Sequence, residues 1–442
     1  MTTNHPDPDV LFYQSRTRLP VIQRSEGIYI WDEEGKEYID GCSGAMICNI
    51  GHSHPRVLEA VNRQAQSTFF AYRTQFENRP ALNLAQALVQ EMPDGMNRVF
   101  FVSGGSEAVE SALKICRQHF WHTGQQGRHI FISRTPSYHG ASLGALSMTS
   151  YAPLEIPFRP MFQAYPKIPA PYCYRCPYHK TYPECGLECA RALEKTILEQ
   201  GPESVAAFIV EPIGGASTGA LVPPDDYFAV IQDICRKYKI MLILDEVMTG
   251  FGRTGAMFAM EHWGVQPDIV ALSKGMGSGY IPLGGVVTRK EIVDPILAGG
   301  GFMHGFTSAG NPMACAVGLE VLSILKEEDL SANAGERGQE LLSGLLFLAT
   351  RHPIIGQVRG KGLLTAIELV QDRDTRTPFA PENGMNSLLT QEAAKQGLII
   401  YPRRPIYGLR GDHVLIAPPL IVSKEQVQEI LRRLDRALGR VV

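Results

Sequence analysis

From about Pro55 to about residue 325, short apolar runs alternate with stretches whose apolar residues recur at helical spacing. The clearest runs are 98–102, 129–133, 205–210, 240–244 and 268–272. Each is followed by glycine, proline or a polar turn and then mostly by helix-like sequence. This alternation predicts an α/β fold built on a mostly parallel sheet with helices on both faces. Ligands in such sheets sit at the carboxyl ends of the strands. Ahead of this region, residues 27–40 predict a hairpin, with Ile28 and Ile30 alternating with Tyr29 and Trp31 before a Glu33-Glu34-Gly35 turn. Beyond about Leu330 the texture changes to helices mixed with Gly-rich apolar pieces such as 358–370. A closing helix is expected from Ser423, with capping-box spacing to Gln426 and a core face of Val427, Ile430, Leu431, Leu434 and Leu438.

Composition narrows the classes. The chain has 442 residues, 44% hydrophobic and 20% charged, enough apolar material for a sizeable core. Disorder is therefore excluded as the main state. The net charge of −3 gives no reason to expect nucleic acid as a partner. No apolar run is long enough for a membrane helix, and the polar start with Pro6 and Pro8 lacks signal-peptide character, so the expected compartment is the cytoplasm. Nine cysteines without an export signal are expected as thiols.

Three strand ends carry candidate chemistry. The run Val99-Phe100-Phe101-Val102 enters Ser103-Gly104-Gly105-Ser106 and then a helix with apolar Val109, Ala112, Leu113, Cys116 and Phe120. A glycine-lined helix start suits a phosphate, and an ordinary strand–helix turn is the other reading. The second run, Ile240 to Leu244, ends in Asp245-Glu246. One of these acids needs a cation or protonated nitrogen if buried, and the two point to opposite faces if the strand continues. The third run ends in Ser273-Lys274-Gly275. A lysine at the mouth of a sheet is easily kept neutral, as covalent amine chemistry requires, although a lone strand-end lysine is commonly a surface residue. Together the three ends offer an anion cradle, a buried acid and a reactive amine. That is the set pyridoxal phosphate needs for its phosphate, ring nitrogen and aldehyde.

With these residues in view, the chain resembles the class III aminotransferases of the fold-type-I pyridoxal-phosphate enzymes. The matching motifs are Ser103-Gly104-Gly105-Ser106-Glu107-Ala108, Tyr138-His139-Gly140, Glu211-Pro212, Asp245-Glu246-Val247 through Gly252-Arg253-Thr254-Gly255, Ser273-Lys274-Gly275 and Thr307-Ser308-Ala309-Gly310-Asn311-Pro312. They stand in the family's order and span nearly all the chain from about Tyr29. The resemblance implies a large cofactor-binding domain over 61–325 and a smaller α+β domain from both termini, 1–60 and 326–442. It implies Lys274 as the Schiff-base lysine and Asp245 as partner of the ring nitrogen. Val247 and Tyr138 would sandwich the ring, with His139 and Glu211 beside them. Backbone groups of Gly105 and Ser106 would hold the phosphate. Thr307 would reach the phosphate of a neighbouring subunit, which makes a homodimer, or a multiple of one, the expected assembly.

Departures bear on substrate. Relatives that use 2-oxoglutarate carry an arginine where this chain has Leu415, Gln where it has Met248, and often Phe where it has Tyr138. These changes resemble the branch that moves amino groups from ω-amino acids or amines to pyruvate. That branch often has a mobile arginine before Gly-Asp, which makes Arg410 the candidate for substrate, with Arg403 and Arg404 as competitors. The same branch commonly has tryptophan after Ser-Gly-Leu, whereas here the segment reads Ser43-Gly44-Ala45-Met46. The expected function is thus an aminotransferase, with an epimerase, racemase or decarboxylase on the same cofactor, and a non-catalytic cofactor-binding protein, as rivals. Cys173, Cys176, Cys185 and Cys189, with His179 near, have the spacing of a zinc site, with free thiols and a redox-sensitive pair as the other readings. His52 and His54 match a family turn and are not expected as metal ligands.

Overall fold

All six residues of Val205–Val210 are buried, as are all of Met241–Asp245 and Ile269–Leu272. Strands that are apolar on both faces require a helical layer on each side. The computed structural model, which describes residues 11, 18–404 and 411–441, has this arrangement.

The chain opens with β1 (Ile22–Glu26), β2 (Tyr29–Asp32) and β3 (Glu37–Asp40), an antiparallel meander. The hairpin expected over 27–40 is its second half, with Tyr29 opposite Ile39. The central sheet follows: β4 (Met96–Val102), β5 (Ile130–Thr135), β6 (Lys167–Pro169), β7 (Val205–Val210), β8 (Met241–Asp245), β9 (Ile269–Leu272) and β10 (Gly284–Arg289). Its seven strands are ordered β4-β10-β9-β8-β7-β5-β6. β10 pairs antiparallel with both β4 and β9, and the other pairings are parallel. The five runs singled out in the sequence are all strands of this sheet. β10 escapes that pattern because it starts on Gly284-Gly285, where glycine hides the apolar alternation.

Strand alternation divides the core. Ile209, Ile243 and Ala271 face the helix Gly105–His122, which buries Val109, Ala112, Leu113, Cys116 and Phe120 against them. Phe208, Leu242, Leu244 and Val270 face the opposite layer, which includes Leu84, Val321 and Leu330.

The C-terminal part forms β11 (Ile355–Lys361), β12 (Leu364–Leu369), β13 (Leu398–Ile399), β14 (Tyr401–Arg403) and β15 (His413–Ile416). One sheet is ordered β11-β12-β15-β14, while β13 joins the N-terminal meander by pairing parallel with β3. The last helix, Lys424–Val441, starts where the capping box places it. Ser423 N donates to Gln426 Oε1 (2.9 Å) and Gln426 N donates to Ser423 Oγ (3.2 Å).

The guanidinium of Arg253 clips these parts together. It is fully buried and donates to the carbonyls of Leu363, Ala417 and Pro418 at 3.1, 3.2 and 2.6 Å, to Ser43 Oγ at 3.0 Å and to Asn49 Oδ1 at 2.8 Å. Burial lowers its pKa to about 10, which leaves it charged at neutral pH. A cation surrounded by oxygen acceptors spans the join between the Gly252-Arg253-Thr254 turn, the segment after β15 and the Ser43–Asn49 turn.

Candidate active site

The parallel strands deliver their carboxyl ends to one place. β4 leads to Gly105 and Ser106, β5 to Tyr138 and His139, β7 to Glu211, β8 ends on Asp245, and β9 leads to Lys274. All of these, with Val247 and Met248, line a cleft that encloses about 160 Å³.

Lys274 follows β9 through a residue whose hydroxyl is spent, since Ser273 Oγ donates to the Leu283 carbonyl at 2.8 Å. Its own backbone is left-handed, with φ 44°, a region that costs a residue with a side chain and persists where surroundings over-determine it. Burial lowers the Lys274 amine from the ordinary 10.5 to about 8. The acids Asp245 and Glu211 pull the other way, and Arg253 and Arg403 assist the lowering.

Asp245 and Glu246 diverge, as neighbours on a strand must. Asp245 Oδ2 meets His139 Nδ1 at 2.8 Å, and Oδ1 accepts the Val247 amide at 3.1 Å. Glu246 turns into the interior, where its carboxyl accepts the Thr249 hydroxyl and the amides of Ala259 (3.1 Å) and Met260 (2.7 Å). Burial pushes Glu246 up to about 7. The pair therefore splits into a site acid and a structural acid. His139 is fixed from behind by its amide, which donates to Thr149 Oγ1 at 2.9 Å. Its Nε2 is buried and has no hydrogen-bond partner among the described residues.

Glu211 accepts the amides of Gly215 (2.9 Å) and, more loosely, Tyr138 (3.4 Å), and burial raises its pKa. The buried Arg134 supports the same turn by donating to the Glu211 carbonyl at 2.6 Å. Sequence reasoning passed over Ile213, Ala216 and Thr249 as wall residues. The glycine pair Gly214-Gly215 just past a strand end was the signal for the first two.

The cavity suits pyridoxal phosphate. The helix Gly105–His122 begins at the cleft without a side-chain N-cap, so its first amides are available to an anion. A Cβ added at Gly105 would stand 2.8 Å from Val247 Cγ1, so only glycine lets the helix start approach the wall this closely. An acid and an amine stand further along the same floor.

Thr307 is exposed and is not among the lining residues of this cleft. Arg410 lies outside the described residues. Cys173, Cys176, Cys185 and Cys189 are free thiols around one small cavity. Among the described residues, the trio of candidate ligand atoms gathered within 4.8 Å is instead Asp40, Cys48 and His52. His52 there meets Asp40 at 2.9 Å, while His54 lies 3.4 Å from Glu328. No described helix is long and apolar enough to cross a membrane.

A mostly parallel sheet with an anion cradle, a paired acid and a depressed lysine at its strand ends defines a pyridoxal-phosphate transferase. The model of the aminotransferase class-III family matches residues 13–438, and the chain belongs to that family, whose cofactor is pyridoxal phosphate. It is 41% identical over 424 residues to the aminotransferase YodT of Bacillus subtilis, covering 96% of this chain and 95% of that one. It is 38% identical over 422 residues to the putrescine–pyruvate aminotransferase of Pseudomonas aeruginosa, covering 95% and 90%. Among solved structures, the (S)-enantioselective omega-transaminase of Thermomicrobium roseum superposes with a TM-score of 0.91 at 40% identity, covering 96% of this chain and 93% of that one. An amine transaminase from an uncultivated Pseudomonas species, solved with pyridoxal phosphate bound, gives 0.91 at 36% identity, covering 100% and 99%.

Proposed function

We propose that this aminotransferase moves an amino group from an ω-amino acid or amine to pyruvate, with Lys274 and Asp245 at the centre of the reaction. The observation that carries the reading is the meeting of Lys274, the Asp245–His139 pair and the uncapped helix start in one cleft. Similarity to a putrescine–pyruvate aminotransferase and to omega-transaminases supports the donor and acceptor classes. Bound pyridoxal phosphate supplies an electron sink and a carbonyl carbon that carries the amino group between donor and acceptor.

The chain's own residues do the rest. Lys274 Nζ would hold the cofactor's aldehyde and would serve as the base that accepts and returns the substrate's proton. An amine near pKa 8 can both accept and return that proton at neutral pH. Asp245 keeps a proton on the ring nitrogen, and His139 and the Val247 amide hold its carboxylate in place. Val247 and Tyr138, both in the cleft wall, would flank the cofactor's ring. Amides of Gly105 and Ser106 take the phosphate, and Glu211 stands on the substrate side.

Acceptor choice follows from Leu415. This residue is fully buried among Leu364, Ala366 and Ala417, so that spot offers no cation to a second carboxylate. We read the enzyme as a cytoplasmic homodimer or multiple of one, in which Thr307 serves the neighbouring subunit's phosphate. Residues 61–325 form the cofactor domain, and 1–60 with 326–442 form the smaller one. Donors screened in parallel against pyruvate and 2-oxoglutarate test the reading. Pyruvate is expected to give a kcat/KM higher by at least about tenfold, which is about 1.4 kcal/mol. Equal use of 2-oxoglutarate defeats the acceptor assignment. Turnover without a keto product from the donor returns the site to the epimerase or decarboxylase class.

A further inference from the structure

Glu368 on β12 stands opposite Gln357 on β11 and His413 on β15, so the three make one row across the C-terminal sheet. Arg359, two residues along from Gln357, projects from the same face. Glu368 is wholly buried, and its carboxylate accepts Arg359 Nη1 at 2.8 Å, Arg175 Nε at 2.6 Å and the Tyr172 hydroxyl. Burial opposes its charge, but the guanidiniums of Arg359 and Arg175 outweigh it and hold Glu368 below its ordinary pKa.

Arg359 has a second set of partners. Its Nε donates to the Gly219 carbonyl at 2.6 Å and its Nη2 to the Thr218 carbonyl at 2.7 Å. Beside it His413 donates from Nε2 to the Ala216 carbonyl at 2.9 Å, as a neutral ring whose pKa burial lowers to about 3. All three carbonyls belong to one tight loop, closed by Gly214 N to the Leu221 carbonyl (2.9 Å) and Leu221 N to the Gly214 carbonyl (3.0 Å). The loop lies directly on the sheet. A Cβ added at Gly219, where φ is 66°, would stand 2.6 Å from His413 Cδ2 and 2.8 Å from Arg359 Nη2.

The other side of this loop is cleft. Ile213 and Ala216 line it. Gly215 donates its amide to Glu211 Oε1 at 2.9 Å, and a Cβ there would stand 2.8 Å from Sδ of Met248, a further wall residue. Where the wall stands therefore depends on where its carbonyls are anchored on the C-terminal sheet.

We infer that Arg359, clamped by Glu368, is a positioning residue that sets the width of the amine donor's pocket by anchoring the 214–221 loop against Met248. This rests on the transaminase reading of the cleft. Without the guanidinium, two carbonyls lose a charged donor and the wall at Ala216 recedes. A bulky donor then gains room, and a small one loses its close fit.

The test compares holoenzymes of wild type, Arg359→Met, Arg359→Lys, Gly219→Ala and Leu434→Ala, the last a core substitution in the closing helix. The first half-reaction is followed by the cofactor's absorbance with 2-aminobutane and with 1-phenylethylamine, a small and a bulky amine. Hydrogen exchange of the 213–222 peptide is read by mass spectrometry on the same samples. Arg359→Met is expected to raise the ratio of second-order rate constants, bulky over small, by at least about fivefold, and to speed exchange in that peptide by about tenfold or more. Arg359→Lys should move both the same way by less, because a compact ammonium cannot span the carboxylate and both carbonyls as the planar fork does. Gly219→Ala should also raise the ratio, since its Cβ pries the loop off the sheet. Leu434→Ala should lower thermal stability and leave the ratio within about twofold of wild type. An Arg359→Met enzyme with a wild-type ratio overturns the assignment, whatever its exchange. So does an equal shift in Leu434→Ala, which would make the change a consequence of lost stability. If Arg359→Met does not fold, Arg359→Lys and Gly219→Ala decide, and a wild-type ratio in both overturns the assignment. A wild type that reacts with neither amine defeats the transaminase reading itself. Exchange still judges the anchor in that event, and an unchanged rate in Arg359→Met overturns it.

Discussion

His139 Nδ1 stands 2.8 Å from Asp245 Oδ2, and both side chains are almost wholly shielded from solvent. With the Val247 amide on the other oxygen, the carboxylate has one orientation available to it. Asp245→Asn should lower kcat by about a thousandfold or more, roughly 4 kcal/mol, because a neutral amide cannot hold a proton on the ring nitrogen. His139→Asn should cost less, about ten- to a hundredfold, the worth of one hydrogen bond to a charged group. Near-wild-type turnover in Asp245→Asn would remove the ring-nitrogen role. A His139 loss as large as the Asp245 loss would make the histidine more than a positioning residue.

Lys274 should reveal its lowered pKa in the rate at which apoenzyme takes up cofactor. Only the neutral amine attacks a carbonyl, and burial brings that form in at about pH 8 instead of 10.5. The rate should rise about tenfold per unit up to pH 8 and then level off. Stopped-flow absorbance from pH 6 to 10 checks this, and a rise that continues through pH 10 contradicts it. The same shift has a stability sign. Between about 8 and 10.5 the unfolded chain binds the proton and the native apoenzyme does not, so this group's contribution to apoenzyme stability grows with pH across that window. Borohydride trapping and mass spectrometry should place the cofactor on Lys274, and Lys274→Ala should fold but not transaminate.

The parts of this site that were legible in the sequence lie on a strand or one turn past it. Asp245, Gly105 and Lys274 each follow an apolar run, and a parallel sheet gathers such ends whatever their separation along the chain. What was not legible depends on contacts between distant segments. Arg253 belongs to the same motif as Asp245, yet its acceptors are Ser43, Asn49, Leu363, Ala417 and Pro418, none of which its own neighbourhood announces. Likewise, Arg403 and Arg404 read alike in sequence, yet one guanidinium meets Tyr401 Oη and the other Asp412.

Gly105→Ala tests the closeness of the helix start to the wall. The new Cβ would stand 2.8 Å from a branch of Val247, which a valine cannot swing far to avoid. Val247 should be pushed into the ring's place, raising the cofactor Kd by about tenfold or more with little change in secondary structure. Equilibrium dialysis of cofactor gives the number, and unchanged retention would mean that the wall yields.

Arg253→Met should destabilise the apoenzyme by about 3–5 kcal/mol, because three buried carbonyls and two side-chain oxygens lose their donor. Arg253→Lys should recover only part, having three donors for five acceptors. Chemical denaturation midpoints at fixed slope check the order wild type, Lys, Met. A Met variant as stable as wild type would show that the clip is dispensable.

Thr307 joins a surface feature to the site. The segment carrying it is tied to the 69–78 segment by Arg73 Nη1 to the Phe306 carbonyl (2.8 Å), Asn78 Nδ2 to the Gly310 carbonyl (2.9 Å) and Asn311 Nδ2 to the Phe69 carbonyl (3.1 Å). Around it Phe69, Phe70, Phe76 and Met303 are 63%, 50%, 68% and 75% exposed, an apolar group that calls for a cover. If a second copy provides that cover, Thr307 can reach the partner's phosphate while remaining outside its own cleft. Sedimentation should then show a dimer or a multiple of one, and cofactor loss should track dissociation on dilution. Subunit mixing separates a shared site from a self-contained one. Neither Lys274→Ala nor Thr307→Ala homodimers should be active at limiting cofactor. In a mixed dimer, the Lys274 of one subunit meets the intact Thr307 of the other, so one site of its two is complete. Random pairing of equal amounts makes half the dimers mixed, and activity should recover to about a quarter of wild type. No recovery in a mixture shown to exchange subunits would place Thr307 outside the partner's site.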